Sequence, residues 1–147
     1  MYESVRDLMH AQKFDLAASA ARTASANGDA VTGLERYKHF VILCNITASA
    51  TDAGDTLDVY VDVSFDGSVW LNAVHFTQQA GNGSAAKMVA VLDGSNPGTS
   101  VIAVTADAAA GAQRPIVTGP QMRARWAIAD TGTDNASHTF SVTCYAW

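Results

Sequence analysis

Leu57-Asp58-Val59-Tyr60-Val61-Asp62-Val63-Ser64-Phe65-Asp66-Gly67-Ser68-Val69-Trp70 is the stretch that decides the fold. Leu57, Val59, Val61, Val63 and Phe65 alternate strictly with Asp58, Tyr60, Asp62 and Ser64. A period of two belongs to a strand, whose successive side chains point to opposite faces. It predicts one buried face and one wet face. Asp66-Gly67 then predicts a hairpin turn, because Asp binds its own backbone and Gly takes positive φ without steric cost. Val69 to Thr77 returns as the partner strand, with Trp70, Val74 and Phe76 expected on one face.

The same grammar extends outward. Phe40, Val41, Ile42, Leu43, Cys44 and Ile46 form a near-continuous apolar run, which predicts a central strand buried on both faces. Lys87–Leu92 and Val101–Thr105 read as short strands. Met122, Ala124, Trp126 and Ile128 alternate with Arg123 and Arg125, and His138–Trp147 closes the chain with Phe140, Val142 and Cys144 inward. Polar or small-residue turns lie at 51–55, 78–86, 93–99, 107–120 and 130–136. Their spacing of about 8–14 residues is that of an antiparallel sandwich. The expected fold is therefore all-β, an antiparallel β-sandwich or jelly roll over residues 37–147, with an N-terminal extension over 1–36. Val59, Val61, Val63, Trp126, Ile128, Phe140 and Val142 are its expected core.

The extension reads differently. Val5, Leu8, Met9 and Gln12 have helical spacing, so a short helix or an extended arm is expected over 1–12. Phe14, Leu16, Ala18 and Ala20 alternate, which predicts a strand or an arm, with an Ala-rich helix as the rival. Gly33–Arg36 is a turn. Between Ala17 and Ala30 no large apolar residue occurs. Such a segment buries little apolar surface to offset an ordering cost of about 1–2 kcal/mol per residue. Strand addition to another subunit is the expected way to order it, which makes Phe14 and Leu16 candidate partner-binding residues.

Composition bounds the function. A length of 147 residues suits one domain. Nine Lys and Arg against fourteen Asp and Glu give a net charge of −5, so no basic face for nucleic acid is expected. Charged residues are 16%, against about 25% in ordinary soluble domains, so Ser, Thr, Asn, Gly and Ala must cover the surface. No window approaches the roughly 18 apolar residues of a membrane span. Met1–Asp7 lacks an apolar secretory core, so synthesis in a cytoplasm is expected. The sequons at Asn45, Asn82 and Asn135 then carry no meaning. Cys44 and Cys144 sit in apolar runs without close spacing and are expected to be free thiols.

No set of residues names a reaction. His10, His39, His75 and His138 show no metal-ligand spacing. Asp52, Asp55, Asp58, Asp62 and Asp66 form an acidic ladder. On one strand face Asp58 and Asp62 stand about 13 Å apart, too far to share a calcium ion unaided. A solvated ladder that discourages edge pairing is the expectation. There is no Gly-x-Ser-x-Gly elbow, and neither cysteine has an activating neighbour. Gly81-Asn82-Gly83-Ser84 is half a phosphate loop without its Lys or its helix. Neither an enzyme nor a cofactor is expected. Arg123 and Arg125 share a strand face and are candidates to clasp acidic groups of a neighbouring chain, with a solvated outer face as the alternative. The 64–70 hairpin is similar to the Asp box of sialidase-like propellers, but it is one residue short and occurs once. A structural hairpin is expected there, with carbohydrate binding through Trp70 or Trp126 as the alternative.

The run 57–70, the later Arg123-Ala-Arg-Trp-Ala-Ile128 and the closing Thr139-Phe-Ser-Val-Thr143 together resemble small virion proteins of tailed bacteriophages, the capsid decoration or cement proteins in particular. The resemblance covers roughly residues 37–147, and its motifs are mostly hairpin grammar. It implies a small, acidic, jelly-roll-like protein that sits on the capsid surface, often as a homotrimer. Its partners would be the major capsid protein and other copies of itself, not nucleic acid or membrane. It would act by interface burial. It supplies no residue-level site, and residues 1–36 have no counterpart in it. A carbohydrate-binding module and a head–tail or tail adaptor are the alternative functions.

Overall fold

The structure, a computed structural model, describes residues 11–95, 101–114 and 118–147. Its strands are β1 (Gln12–Arg22), β2 (Ala26–Asn27), β3 (His39–Ala48), β4 (Thr56–Ser64), β5 (Trp70–His75), β6 (Gln79–Ala80), β7 (Ala86–Asp93), β8 (Ala112–Gln113), β9 (Gln121–Ala129) and β10 (His138–Ala146). The first sheet has the order β1-β10-β3-β7 and the second β2-β9-β4-β5-β8, with β6 pairing the start of β4. All pairings are antiparallel. The two sheets pack as a β-sandwich, and the described residues include no helix.

The alternation in β4 sets the interior. Leu57, Val59, Val61 and Val63 are buried, and they join Trp126, Phe140 and Val142 in one cluster with Ile128 packed at its margin. Each such side chain contributes about 1.5–3 kcal/mol relative to exposure. On β3, Phe40, Ile42, Cys44 and Ile46 face inward, whereas Val41, Leu43 and Asn45 are only half covered. The expected burial of both faces is corrected: the strand is central, but a sandwich has one interior.

Three further expectations change on the second sheet. Its outer face at β4 is not wet: Tyr60 and Asp62 are buried beside residues 106–114, which bond down onto the sheet, and Ser64 is buried in the hairpin tip. The alternation ends at Ser64, and Phe65 is 64% exposed. Finally, Val61 pairs with Val74 but Asp62 pairs with Asn72, so Ala73 is an extra residue. This β-bulge reverses the side-chain phase. Trp70 and Asn72 therefore lie on the outer face, opposite to Val74 and Phe76. Residues 101–105 form no strand. The helix expected over 1–12 falls almost wholly outside the described residues.

The N-terminal segment forms a strand, as its alternation predicts, but within its own chain. β1 pairs with β10, with irregularities between Asp15 and Ala17 and between Ala17 and Ala20. Leu16 and Ala17 both reach the core while Ala18 and Ala20 are exposed. The chain then changes sheet. β2 pairs with β9, the Gly28 N–H donates to the Ala124 carbonyl at 2.8 Å, and Val31 bridges Met122. Leu34 ends the strap, 1% exposed. A Cβ at Gly28 would stand 2.7 Å from the Leu16 carbonyl oxygen and 3.3 Å from that of Ala124, so only glycine permits this close approach. The expectation that a neighbouring subunit orders the segment is corrected for residues 12–34. Two free sheet edges of the same chain offer the main-chain bonds.

Candidate functional site

The densest polar constellation lies on the outer face of the second sheet. Register places Tyr60 opposite Arg125 and Asp62 opposite Arg123. Arg125 grips the Asp62 carboxylate with Nε at 2.8 Å and Nη2 at 3.2 Å, and reaches Asp107 at 2.7 Å. Its guanidinium lies 3.9 Å from the centre of the Tyr60 ring. Burial pulls the Arg125 pKa down, but the bonds to Asp62 and Asp107 outweigh it and the net shift is upward. Arg123 stands over Trp70 at 4.2 Å and is ion-paired with Asp62 at 3.7 Å, without a hydrogen bond at its buried Nε. Asn72 completes the site: it donates to Asp62 and to the Val74 carbonyl, and accepts from the Ala108 N–H.

A second group adjoins the first. His75 Nδ1 lies 2.8 Å from the Ala108 carbonyl and Nε2 2.8 Å from Asp58. Both ring nitrogens thus face oxygen acceptors. The ring stacks on Tyr60 at 4.2 Å. Burial and then the Asp58 charge raise the Tyr60 pKa. His75, Asn72 and Arg125 bond to Ala108 and Asp107, so the constellation fastens the 106–114 loop to the sheet. Within the chain Arg123 and Arg125 both pair with Asp62, and Arg125 also pairs with Asp107. The expectation of a solvated acidic ladder is corrected. Asp62 is 3% exposed. Asp55 and Asp52 accept the Thr131 and Thr133 amides and hold the 130–134 turn.

The hairpin tip is the other built feature. Asp66 accepts the Ser68 and Val69 amides, each at 2.8 Å. Ser64 Oγ accepts from Gly67 N–H and donates to the Val69 carbonyl at 2.6 Å. Gly67 has φ +78°. The bonds from Val69 and then Ser68 hold the Asp66 carboxyl below its ordinary pKa. This network presents Phe65, 64% exposed, and Val69, 45% exposed, on a turn with little freedom left.

The remaining sequence candidates are internal. Leu16 is a core residue, 3% exposed, so its partner-binding role is corrected. Phe14 packs edge-on against Tyr37 at 5.7 Å and lines the same core. Trp126 is buried, 5.6 Å from Phe140, under the Arg22 guanidinium and bonded to the Ala24 carbonyl. Trp70 lies beneath Arg123. Neither offers the open platform that carbohydrate binding requires. Cys44 and Cys144 are free and buried, with burial pushing both thiols up to about 12. Among the described residues no group of three His, Cys, Asp or Glu could hold a metal ion. Sequence reasoning missed His75, Asn72 and Asp107. The Ala73 bulge puts Asn72 on this face beside His75, and no residue type announces a bulge. Comparison with known proteins places the chain in no group: no family model and no curated protein matches it.

Proposed function

We propose that this chain is a structural virion protein of the capsid-decoration kind, which binds a protein shell through apolar surface. The observation that carries the reading is the hairpin tip. Phe65 and Val69 are large, apolar and exposed, yet the turn beneath them is fixed by the Asp66 and Ser64 bonds. A preorganised apolar knob binds with little ordering cost, which suits permanent attachment to another protein. The ion-pair face supports the same reading, since its charges close on each other and hold a loop rigid. Attachment at many equivalent shell positions would multiply a modest affinity per contact.

The test uses tailed-phage capsids depleted of their decoration protein. The full chain should sediment with them. Phe65→Asp should abolish sedimentation while leaving the unfolding transition in place, because the side chain it replaces is outside the core. A chain that binds glycans as a monomer and ignores capsids would favour the carbohydrate-binding alternative and overturn the proposal.

A further inference from the structure

We infer that two copies of this chain join through their β7 strands, antiparallel about a two-fold axis at Ala90, so that the first sheets become one eight-stranded sheet. The inference does not depend on the capsid reading.

Among the described residues five strands have an open side, and four of them are closed to pairing. β2, β6 and β8 are two residues each. β1 is broken by its irregularities, and the Arg22 guanidinium covers the carbonyls of Ala18 and Ala20. β7 is different. It runs eight residues and pairs with β3 without any register shift from His39–Asp93 to Ile46–Ala86. A long, straight edge with exposed apolar side chains is a template for another strand. Val89 is 62% exposed and Val91 47%. Beside this edge, an open cleft of 520 Å³ separates Met88–Ala90 from Val74–Thr77 and Gly111–Gln113.

The identity of the partner follows from the pattern along β7. The Val91 N–H points away from β3, since it donates to the Gln113 side chain at 2.9 Å. Main-chain groups alternate sides along a strand. Lys87, Val89 and Asp93 therefore also turn theirs to that edge, where the Gln113 side chain is the one bond made by the described residues. Pairing β7 with itself about Ala90 sets Lys87 against Asp93 and Val89 against Val91, and each of these pairs has its amides correctly aimed. The symmetry repeats both pairs, giving about eight main-chain hydrogen bonds. The same residues share the outer face. The strip would bring together four valines flanked by two Lys–Asp pairs, in which Asp93 uses the carboxylate oxygen not engaged by His39 and Ser95; it is continuous with the half-covered Val41 and Leu43 of β3. An unrelated strand has no reason to match this order of charge and apolar residue, whereas β7 is complementary to itself, as a two-fold interface requires. Gln113 gives up one exposed bond to admit the partner.

The test is the solution mass of the full chain by sedimentation equilibrium across a roughly hundredfold range of concentration. The wild type should show a reversible dimer. Val89→Lys and Lys87→Asp should each weaken it roughly tenfold or more, because the axis doubles every change. The double variant Lys87→Asp/Asp93→Lys exchanges the charges and should restore the dimer. Circular dichroism checks that each variant keeps its β signal. A wild type that stays monomeric or forms a trimer overturns the inference. So does a dimer indifferent to Val89→Lys, or a double variant no better than Lys87→Asp alone.

Discussion

Replacing Arg125 with Met tests whether the ion-pair face is structural. Arg125 and Asp62 meet by two bonds of 2.8 and 3.2 Å, and the Asp62 side chain is 4% exposed. With the guanidinium gone, Asp62 keeps Asn72 at 3.1 Å and Arg123 at 3.7 Å. Removing one partner of a fully buried pair costs about 3–5 kcal/mol. Arg125 is 26% exposed, so water reaches the gap and the expected loss is about 2–3 kcal/mol. A net stability of roughly 5–15 kcal/mol makes that a large fraction. The melting temperature should fall by roughly 4–12 °C for a chain of this size. Urea unfolding should show a lower midpoint with an unchanged slope. In a double-mutant cycle with Asp62→Asn, the two losses should fall short of additivity by about 0.5–3 kcal/mol. A loss under about 1 kcal/mol, or an additive cycle, would mean that solvent screens the pair and would refute the reasoning.

Other outcomes follow from the core and its titratable groups. Phe140→Ala should cost about 3–5 kcal/mol in urea unfolding, since the ring is fully buried against Trp126. Cys44 and Cys144 should resist a thiol reagent in the folded chain at mildly alkaline pH and both react, without reductant, once it is denatured; recovery of neither would mean a disulfide. Burial holds the His138 pKa below its ordinary value, with Asp55 opposing. The unfolded chain therefore takes up this proton first, so the contribution is complete above about pH 6.5 and is lost as pH falls below it. The stability difference between wild type and His138→Gln should shrink between pH 7.5 and 5.5 on this account, and a constant difference would contradict it.

The alternation at 57–63, 122–128 and 140–144 made the sandwich legible, because one buried face leaves a period of two wherever a strand is regular. What escaped is what regularity does not encode. The Ala73 bulge moved Trp70 to one face and Val74 to the other. The loop over 106–114 turned an apparently wet face into a buried one, and its small residues carry no signal of where they will dock. The poverty of large side chains in 17–30 points, from sequence, to a foreign partner. Backbone pairing is indifferent to side-chain size, and β9 and β10 met that need. Among the site residues, Asp62, Arg123 and Arg125 were visible as charges on two strand faces, but their mutual partnership depends on the β4–β9 register, which a sequence does not show.

The proposed attachment of a rigid sandwich to a shell by its hairpin tip is open to one direct test. The direct measurement is a cryo-electron-microscopy difference map between capsids with and without the chain. It should show sandwich-sized density on the outer surface of the shell, with residues 64–69 against the capsid. Density confined to the neck or tail, or tip residues turned to solvent, would contradict it.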